Sequence, residues 1–536
     1  MIKTYCSPLF VLCTTITIII IGFSEVCFTE QEVRRPCYSR DYGQGSIVCV
    51  CNSTYCDTFR PQLKPKPEIL TVYESNKEGK RFYEKTVKFT YGSNLSGQYE
   101  TVVTVNKSQK FQEILGFGGA FTDAAGINIV SLPKKMQDML ISSYFSPDGL
   151  EYSIGRVPIA SCDFSTHDYS YDDIPGDFNL TYFQLTKEDH LYKIPLIQKA
   201  MNVSSFQILF YGSPWSSPAW MKTNENMTGK GTLKGEVGGK YYETWANYFV
   251  RFLKAYAAYN ITFWGITAQN EPLNGFRDNF PFQCLGFTPD SQRDFIKFHL
   301  GPALEKAGFG PNKLQLMIMD DQRPLLPKWA EKVLQDPVAA KYVNGIGFHW
   351  YMNLVAPPKL LDITHEMFPN KFLLATEACE GSFPWQKNKV ILGSWERAEN
   401  YAHDIIQDLL HWSVGWVDWN LALDLRGGPN WVNNFVDSPV IVNATAKEFY
   451  KQPMYYVLGH FSKFIQRGSY RIGVSQTGSS GLEVAAFMTL NRTSVLVVVN
   501  RNANPVNLMI KDPELGHVVN TVSSHSIQTY VWQGKK

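Results

Sequence analysis

Thr244-Trp-Ala-Asn-Tyr-Phe-Val-Arg-Phe-Leu-Lys-Ala-Tyr256 leads, after a short connection, into Phe263-Trp-Gly-Ile-Thr-Ala-Gln-Asn-Glu271. In the first segment Trp245, Tyr248, Phe249, Phe252 and Tyr256 fall at i, i+3, i+4, i+7 and i+11, so one face of a helix is apolar. In the second, Phe263 to Thr267 is β-rich, and the run ends on Asn270 and Glu271 before Pro272 stops it. This unit recurs. Apolar runs ending in polar or aromatic residues lie at Gly116–Asp123, Tyr152–Asp163, Phe206–Trp215, Phe263–Glu271, Leu314–Asp321, Gly345–Tyr351, Phe372–Glu377 and Val414–Asn420. Helical patterns separate most of them, as in Asn400–His411, where Ala402, Ile405, Ile406, Leu409 and Leu410 share a face. Eight such alternations predict a (β/α)8 TIM barrel. The rival is a doubly wound sheet, whose dinucleotide-binding form needs a glycine-rich phosphate turn. Gly116-Phe-Gly-Gly119 does not match that turn, and no Walker pattern occurs.

On either side of the barrel the pattern is β-like. Thr101–Val105 is the clearest strand before it, and Val484–Thr489, Ser494–Asn500 and Ile527–Trp532 follow Arg467. These predict a β-sandwich-like domain into which the barrel is inserted. At 536 residues the chain exceeds one small core, so a large domain with at least one smaller one is expected. Hydrophobic residues at 44% against 19% charged exclude a disordered chain. Lys+Arg 51 against Asp+Glu 49 leaves a net charge of +2 and no basic run, so nothing points to nucleic acid. The 14% aromatic share suits the holding of flat, sugar-like surfaces.

The first residues differ in kind. Lys3 precedes an apolar run from Pro8 to Phe23, read as a signal peptide over roughly residues 1–31. An uncleaved anchor is the alternative, though the run is short for a span. Cys37, Cys49, Cys51 and Cys56 cluster behind it; export favours disulfides over zinc, and three pairings are open. Cys162, Cys284 and Cys379 are scattered and read as buried free thiols. Sequons at Asn52, Asn94, Asn106, Asn179, Asn202, Asn226, Asn260, Asn443 and Asn491 fit a lumenal or extracellular glycoprotein.

Barrel active sites lie at the C-terminal ends of the strands, which here carry Asp123, Asp163, Trp215, Asn270, Glu271, Asp320, His349, Tyr351, Glu377, Trp419 and Asn420. Glu271 ends the fourth strand and Glu377 the seventh, so two carboxylates face each other over the mouth. A pair of carboxylates is the equipment for glycoside hydrolysis: one protonated to donate, the other ionised to attack. Arg156 and Tyr351 can keep a nucleophile ionised by donating to it. Asp163 can accept from sugar hydroxyls, Asn270 can donate to one, and Trp215 or Trp419 can stack on a ring. A single Trp or Asp at such a position is more often structural, and His349 more often a satisfied core histidine. The coincidence of so many suitable groups favours function. No His/Cys/Asp spacing reads as a metal site, no cofactor is implied, and Ser213-Pro-Trp-Ser-Ser lacks a nucleophile elbow.

At these residues the chain resembles glycoside hydrolase family 30, in particular its glucosylceramide-hydrolysing members, from about Arg35 to Gln533. The motifs are Ser46–Cys56, Arg156-Val-Pro-Ile-Ala-Ser-Cys-Asp-Phe164, Ser213–Pro218, Asn270-Glu-Pro272, Pro281–Thr288, His349-Trp-Tyr351, Thr376-Glu-Ala-Cys379 and Gly428–Pro439. The resemblance implies a retaining mechanism with Glu271 as acid/base and Glu377 as nucleophile. It sets Asp163, Trp215, Asn270, Tyr351, Trp419 and Asn434 around glucose, and Phe164, Phe280, Phe282 and Trp350 along the pocket or its mouth. It selects Cys37–Cys49 and Cys51–Cys56, and adds a small disulfide-bearing β domain, 32–60 with 421–452. The sandwich is then 61–110 with 466–536, and the barrel 111–420 with 453–465. It further implies glucosylceramide in anionic membranes as substrate, a saposin-type activator, a trafficking receptor, and work in the lysosome lumen at the membrane periphery; secretion is the alternative. Other readings are a family hydrolase of another β-linked glycan or glycolipid, and a non-catalytic glycolipid carrier. Gln269 stands where the family often has Glu, and the loop Gly381–Asn388 departs from the family sequence.

Overall fold

The structure is a computed structural model that describes residues 34–61, 63, 65–66, 68–91 and 99–534. The expected signal segment and the Asn94 sequon lie outside the described residues. Each of the eight apolar runs coincides with one barrel strand to within two residues at its start or end, or encloses it: β1 Gly116–Ala120, β2 Ile154–Ile159, β3 Leu209–Pro214, β4 Phe263–Thr267, β5 Gln315–Gln322, β6 Val343–His349, β7 Phe372–Glu377 and β8 Ser413–Asn420. All neighbours are parallel, and β8 closes the barrel on β1 through Gly415–Gly116 and Trp416–Phe117. The β1–β2 approach is close. A Cβ on Gly118 would lie 1.9 Å from the Ile154 carbonyl oxygen, so only glycine fits.

The barrel interior is layered. Ile154, Tyr211, Met317, Leu374 and Val417, from five strands, form one apolar cluster. Polar side chains at the strand ends, Arg156, Ser213, Thr267, Asp320, His349 and Thr376, make a second set, and each is fully buried. Outside, the helix Lys240–Ala257 buries Trp245, Tyr248, Phe249, Phe252 and Tyr256, the face set by the sequence spacing. Phe252 packs on Phe263 of β4 with ring centroids 4.8 Å apart, which fixes helix against strand.

Nine strands form a second sheet, ordered Gly516–Val522, Val506–Asp512, Thr101–Glu113, Tyr470–Thr477, Glu483–Met488, Thr493–Asn500, Ser526–Gln533, Ile69–Asn76 and Tyr83–Lys88. A bridge between Thr90 and His517 brings its two edges together around a core that includes Leu70, Val105, Leu496 and Trp532. Since strands from both ends of the chain share this sheet, the barrel is an insertion in it. A third sheet joins Ser39–Asp41 and Ile47–Cys51 to Glu448–Lys451, Val440–Asn443 and Leu423–Asp424. Its disulfides are Cys37–Cys49 and Cys51–Cys56, the pairing the resemblance implies. Cys162, Cys284 and Cys379 are free and buried. The wholly buried helix Pro453–Ser462 packs on helix Trp395–Leu410, on β1 and on Ser526–Gln533, binding barrel to sandwich. Among the described residues no helix is long and apolar enough to cross a membrane.

Candidate active site

At the strand ends a cavity of about 620 Å³ opens, lined by Asp163, Phe164, Trp215, Asn270, Glu271, Phe280, Phe282, Tyr351, Glu377, Trp419 and Asn434 among others. Its floor is the polar set of the barrel. Arg156, on β2, donates from Nε to Ser213 Oγ (3.2 Å), from one terminal nitrogen to Asn270 Oδ1 and Asp320 Oδ2 (2.9 Å each), and from the other to Glu377 Oε2. Tyr351 donates to the other oxygen of Glu377 at 2.7 Å. Glu377 is therefore held on both oxygens by donors, which fixes its direction at the cavity floor.

Glu271 is held differently. Its backbone is left-handed (φ 39°) where the run from β4 turns into the short helix Pro272–Phe276, and its N–H donates to the Asp320 carbonyl (2.9 Å). Gln322 donates to its Oε1 (2.7 Å), Asn274 to its Oε2 (2.6 Å), and His349 Nδ1 lies 3.1 Å from Oε1. The other ring nitrogen of His349 is 3.0 Å from Asp320. Burial works against the imidazolium, but the charge of Glu377 and the hydrogen bonds to Asp320 and Glu271 outweigh it and raise His349 to about 10. Burial likewise pushes Asp320 up, yet Arg156 and His349 hold it well below the usual carboxylate range. The result is an ion chain, Glu271–His349–Asp320–Arg156–Glu377, that joins the two carboxylates beneath the cavity.

Glu271, His349 and Glu377 each bring a ligand-type atom within 4.8 Å of the others. Such a trio can chelate a metal, but here a cation would have to displace an imidazolium and a guanidinium. Cys51 and Cys56, which with Asp57 form a second such trio, are joined as a disulfide and offer no thiolate.

The sugar-facing groups meet on one wall. Trp215 and Trp419 stack with centroids 5.2 Å apart, and the Arg156 guanidinium lies 5.1 and 5.3 Å from their rings. Asp163 accepts from Asn430 (3.1 Å) and Asn434 (3.0 Å) on one oxygen. Burial, opposed by those amides and reinforced by Glu377, pushes it up to about 7. Because the Asn270 oxygen already accepts from Arg156, its amide NH2 remains to donate into the cavity. Phe280 and Phe282 form an aromatic pair at the mouth, 4.4 Å apart. Gln269 gives its amide to the carbonyls of Pro214, Trp215 and Asn270. An ionised glutamate there would face three oxygens without a proton.

Trp350 is not in the lining. Its ring packs edge-on against Tyr401 and Trp416, toward the helix layer. β6 ends at His349, and at the bend that follows Trp350 turns between Tyr401, Trp416 and Phe383, the last a residue of the cavity wall. The cavity also contains residues the sequence reading did not select: Asn274, Asp321 and Gln322 around Glu271, while Asn430 lies behind Asp163. Two of these follow directly on Asp320 at the end of β5, and that run of polar residues was the available signal.

Residues 114–465 match the glycosyl hydrolase family 30 TIM-barrel domain and residues 468–530 the family 30 beta sandwich domain. The chain belongs to glycoside hydrolase family 30. It is 49% identical over 502 residues to the lysosomal acid glucosylceramidase of Mus musculus, covering 93% of this chain and 96% of that one. Among solved structures, SrfJ from Salmonella typhimurium superposes with a TM-score of 0.79 at 27% identity, over 87% of this chain and 100% of that one. An endo-beta1,6-glucanase follows at 0.76 and 25% identity, over 87% and 99%. A family 30 barrel with its sandwich is thus a glycosidase scaffold, and the clamped carboxylates sit at its mouth.

Proposed function

We propose that the protein is a retaining β-glucosidase that hydrolyses glucosylceramide to glucose and ceramide, with Glu271 as acid/base and Glu377 as nucleophile. One observation carries the mechanism: carboxylate oxygens of Glu271 and Glu377 lie within 4.8 Å of each other. Retaining enzymes hold their carboxyls about 5–5.5 Å apart, whereas inversion needs about 6.5–9.5 Å to admit a water. In the first step Glu377 attacks the anomeric carbon, forming a glycosyl ester, while Glu271 gives its proton to the departing ceramide oxygen. In the second, Glu271 takes a proton from water, the water oxygen bonds to the anomeric carbon, and Glu377 leaves as carboxylate. Arg156 and Tyr351 stabilise the charge that returns to Glu377. Asp163, Asn270, Asn434 and the Trp215–Trp419 wall position glucose, and Phe280 and Phe282 meet the lipid side. The choice of glucosylceramide rests on the likeness to the mouse enzyme across nearly the whole chain.

The same reading supplies the setting. The substrate is met in anionic membranes with a saposin-type activator, in the lysosome lumen, after delivery by a trafficking receptor. The barrel (111–420 with 453–465) carries the chemistry, the sandwich (61–110 with 466–536) supports it, and the disulfide-bearing unit (32–60 with 421–452) supplies Asn430 and Asn434. The test is glucose release from glucosylceramide in anionic phospholipid vesicles at acidic pH. Wild type should release glucose, with the β-anomer as first product by proton NMR, and Glu377→Gln none. Glucose from Glu377→Gln, or the α-anomer first, would overturn the mechanism.

A further inference from the structure

Glu271 must point at the leaving oxygen in one step and at water in the next, and it is held from several sides. The His349 ring lies at 3.1 Å, and the Gln322 and Asn274 amides donate at 2.7 and 2.6 Å. Behind them stands a further buried carboxyl, Asp321, which no step consumes.

Asp321 is 4% exposed and lines the same cavity as Glu271. One of its oxygens accepts from the Leu273 N–H (3.3 Å), two residues past Glu271, inside the turn that gives Glu271 its left-handed backbone. The other accepts from the Gln322 N–H (2.7 Å), and Gln322 in turn donates its side-chain amide to Glu271. Three consecutive residues at the end of β5 therefore grip the acid/base: Asp320 by its carbonyl, Asp321 through the turn, and Gln322 directly. We propose that Asp321 is a positioning residue for the acid/base step: its two oxygens hold the Leu273 and Gln322 N–H groups, and so fix both the turn that carries Glu271 and the amide that donates to it. This rests on the reading of Glu271 as acid/base.

The electrostatics agree with the geometry. Burial first, and the charge of Glu271 second, push Asp321 up to about 7, while the His349 charge and the two backbone N–H donors pull the other way.

The test is Asp321→Asn, whose single amide oxygen can serve only one of the two backbone N–H groups, so that the hold on Leu273 or on Gln322 is lost. Its kcat/KM is measured on an alkyl β-glucoside, whose leaving group needs a proton, and on 2,4-dinitrophenyl β-glucoside, whose leaving group does not. With Glu271 less firmly aimed, the alkyl substrate should lose about tenfold and the aryl one little. Both substrates slowed alike would reduce Asp321 to a structural residue and overturn the proposal, as would full activity on both. Glu271→Gln run in parallel separates the two readings. If it lacks the leaving-group-selective loss, the acid/base assignment itself falls; if it shows that loss and Asp321→Asn does not, only the role of Asp321 falls. Should Asp321→Asn not fold, Asp321→Ser, which likewise leaves one of the two N–H groups unheld, reads the same contrast.

Discussion

Arg156 donates through all three guanidinium nitrogens, to Ser213, to Asn270 and Asp320, and to Glu377, and no part of it reaches solvent. The planar fork does what an ammonium cannot: it holds four partners in fixed directions. Arg156→Lys keeps the charge but loses most of these bonds, and leaves buried acceptors among Ser213, Asn270, Asp320 and Glu377 without their donor. The expected outcome is a fall in kcat of about a hundredfold on an aryl β-glucoside, with stability lower by about 3 kcal/mol in urea unfolding. Retention of kcat within a few-fold would mean that Tyr351 alone suffices for Glu377. At this scale the sequence was informative where a residue's role depends on its place at a strand end. Glu271, Glu377, Asp163, Trp215 and Trp419 were selected that way, and all line the cavity. It was uninformative where the role depends on what the chain does next. Asn274 reaches Glu271 only because the backbone turns left-handed at φ 39°, which no spacing encodes. A motif gives no direction to a side chain past the strand's end: Trp350, just beyond β6, packs against Tyr401 and Trp416 and approaches the cavity through Phe383.

The barrel strands were legible because each is a short apolar run bounded by polar residues, and helix Lys240–Ala257 because its five aromatic residues keep helical spacing. The strands Val506–Asp512 and Gly516–Val522 were not singled out. Val506–Asp512 ends on Lys511 and Asp512, and Gly516–Val522 carries His517, Asn520 and Thr521 among its valines, so neither reads as a clean apolar run until the sheet supplies partners. The sheet of Ser39–Asp41, Ile47–Cys51 and the strands near residue 450 joins segments some four hundred residues apart, and local pattern does not carry that pairing. Elements also explain residues that look featureless in sequence. Gly118 is one such position in β1, where a methyl group would meet the Ile154 carbonyl at 1.9 Å. Gly118→Ala must therefore push β1 from β2, and β1 is where the barrel closes. We expect a loss of about 3 kcal/mol or more, seen as a lower midpoint in thermal unfolding and as poor secretion. A midpoint within a degree of wild type would show that β1 and β2 can part without consequence.

Across the whole molecule the buried titratable groups pull stability in a common direction. Burial raises Asp163 to about 7 and, with the Glu271 charge, Asp321 to about 7; it raises Asp418 to about 8. A carboxyl whose folded affinity is raised binds a proton that the unfolded chain gives up near pH 4. Its contribution is complete below that point and is lost as pH rises through the folded value, by about 1.4 kcal/mol per unit for each group. His349, raised to about 10, is lost over a higher window, from about 6.5 upward. Against these stands His460, which burial lowers to about 3, so that its contribution is lost as pH falls below about 6.5. Three carboxyls oppose one histidine in mild acid, and above pH 6.5 the histidine no longer counts, so the thermal midpoint should be higher at pH 5.5 than at 7.5. Asp418 isolates the effect, because it is 2% exposed, lies outside the cavity lining, and accepts from Tyr401 at 2.7 Å. A protonated Asp418 resembles asparagine in shape and hydrogen bonding. Asp418→Asn should therefore match wild type only near pH 4, exceed it at pH 5.5 and by more at pH 7.5, and show a shallower fall between the two. Equal destabilisation at both pH values would mean that Asp418 is ionised in the folded protein and that the acid preference must come from the carboxyls around the active site.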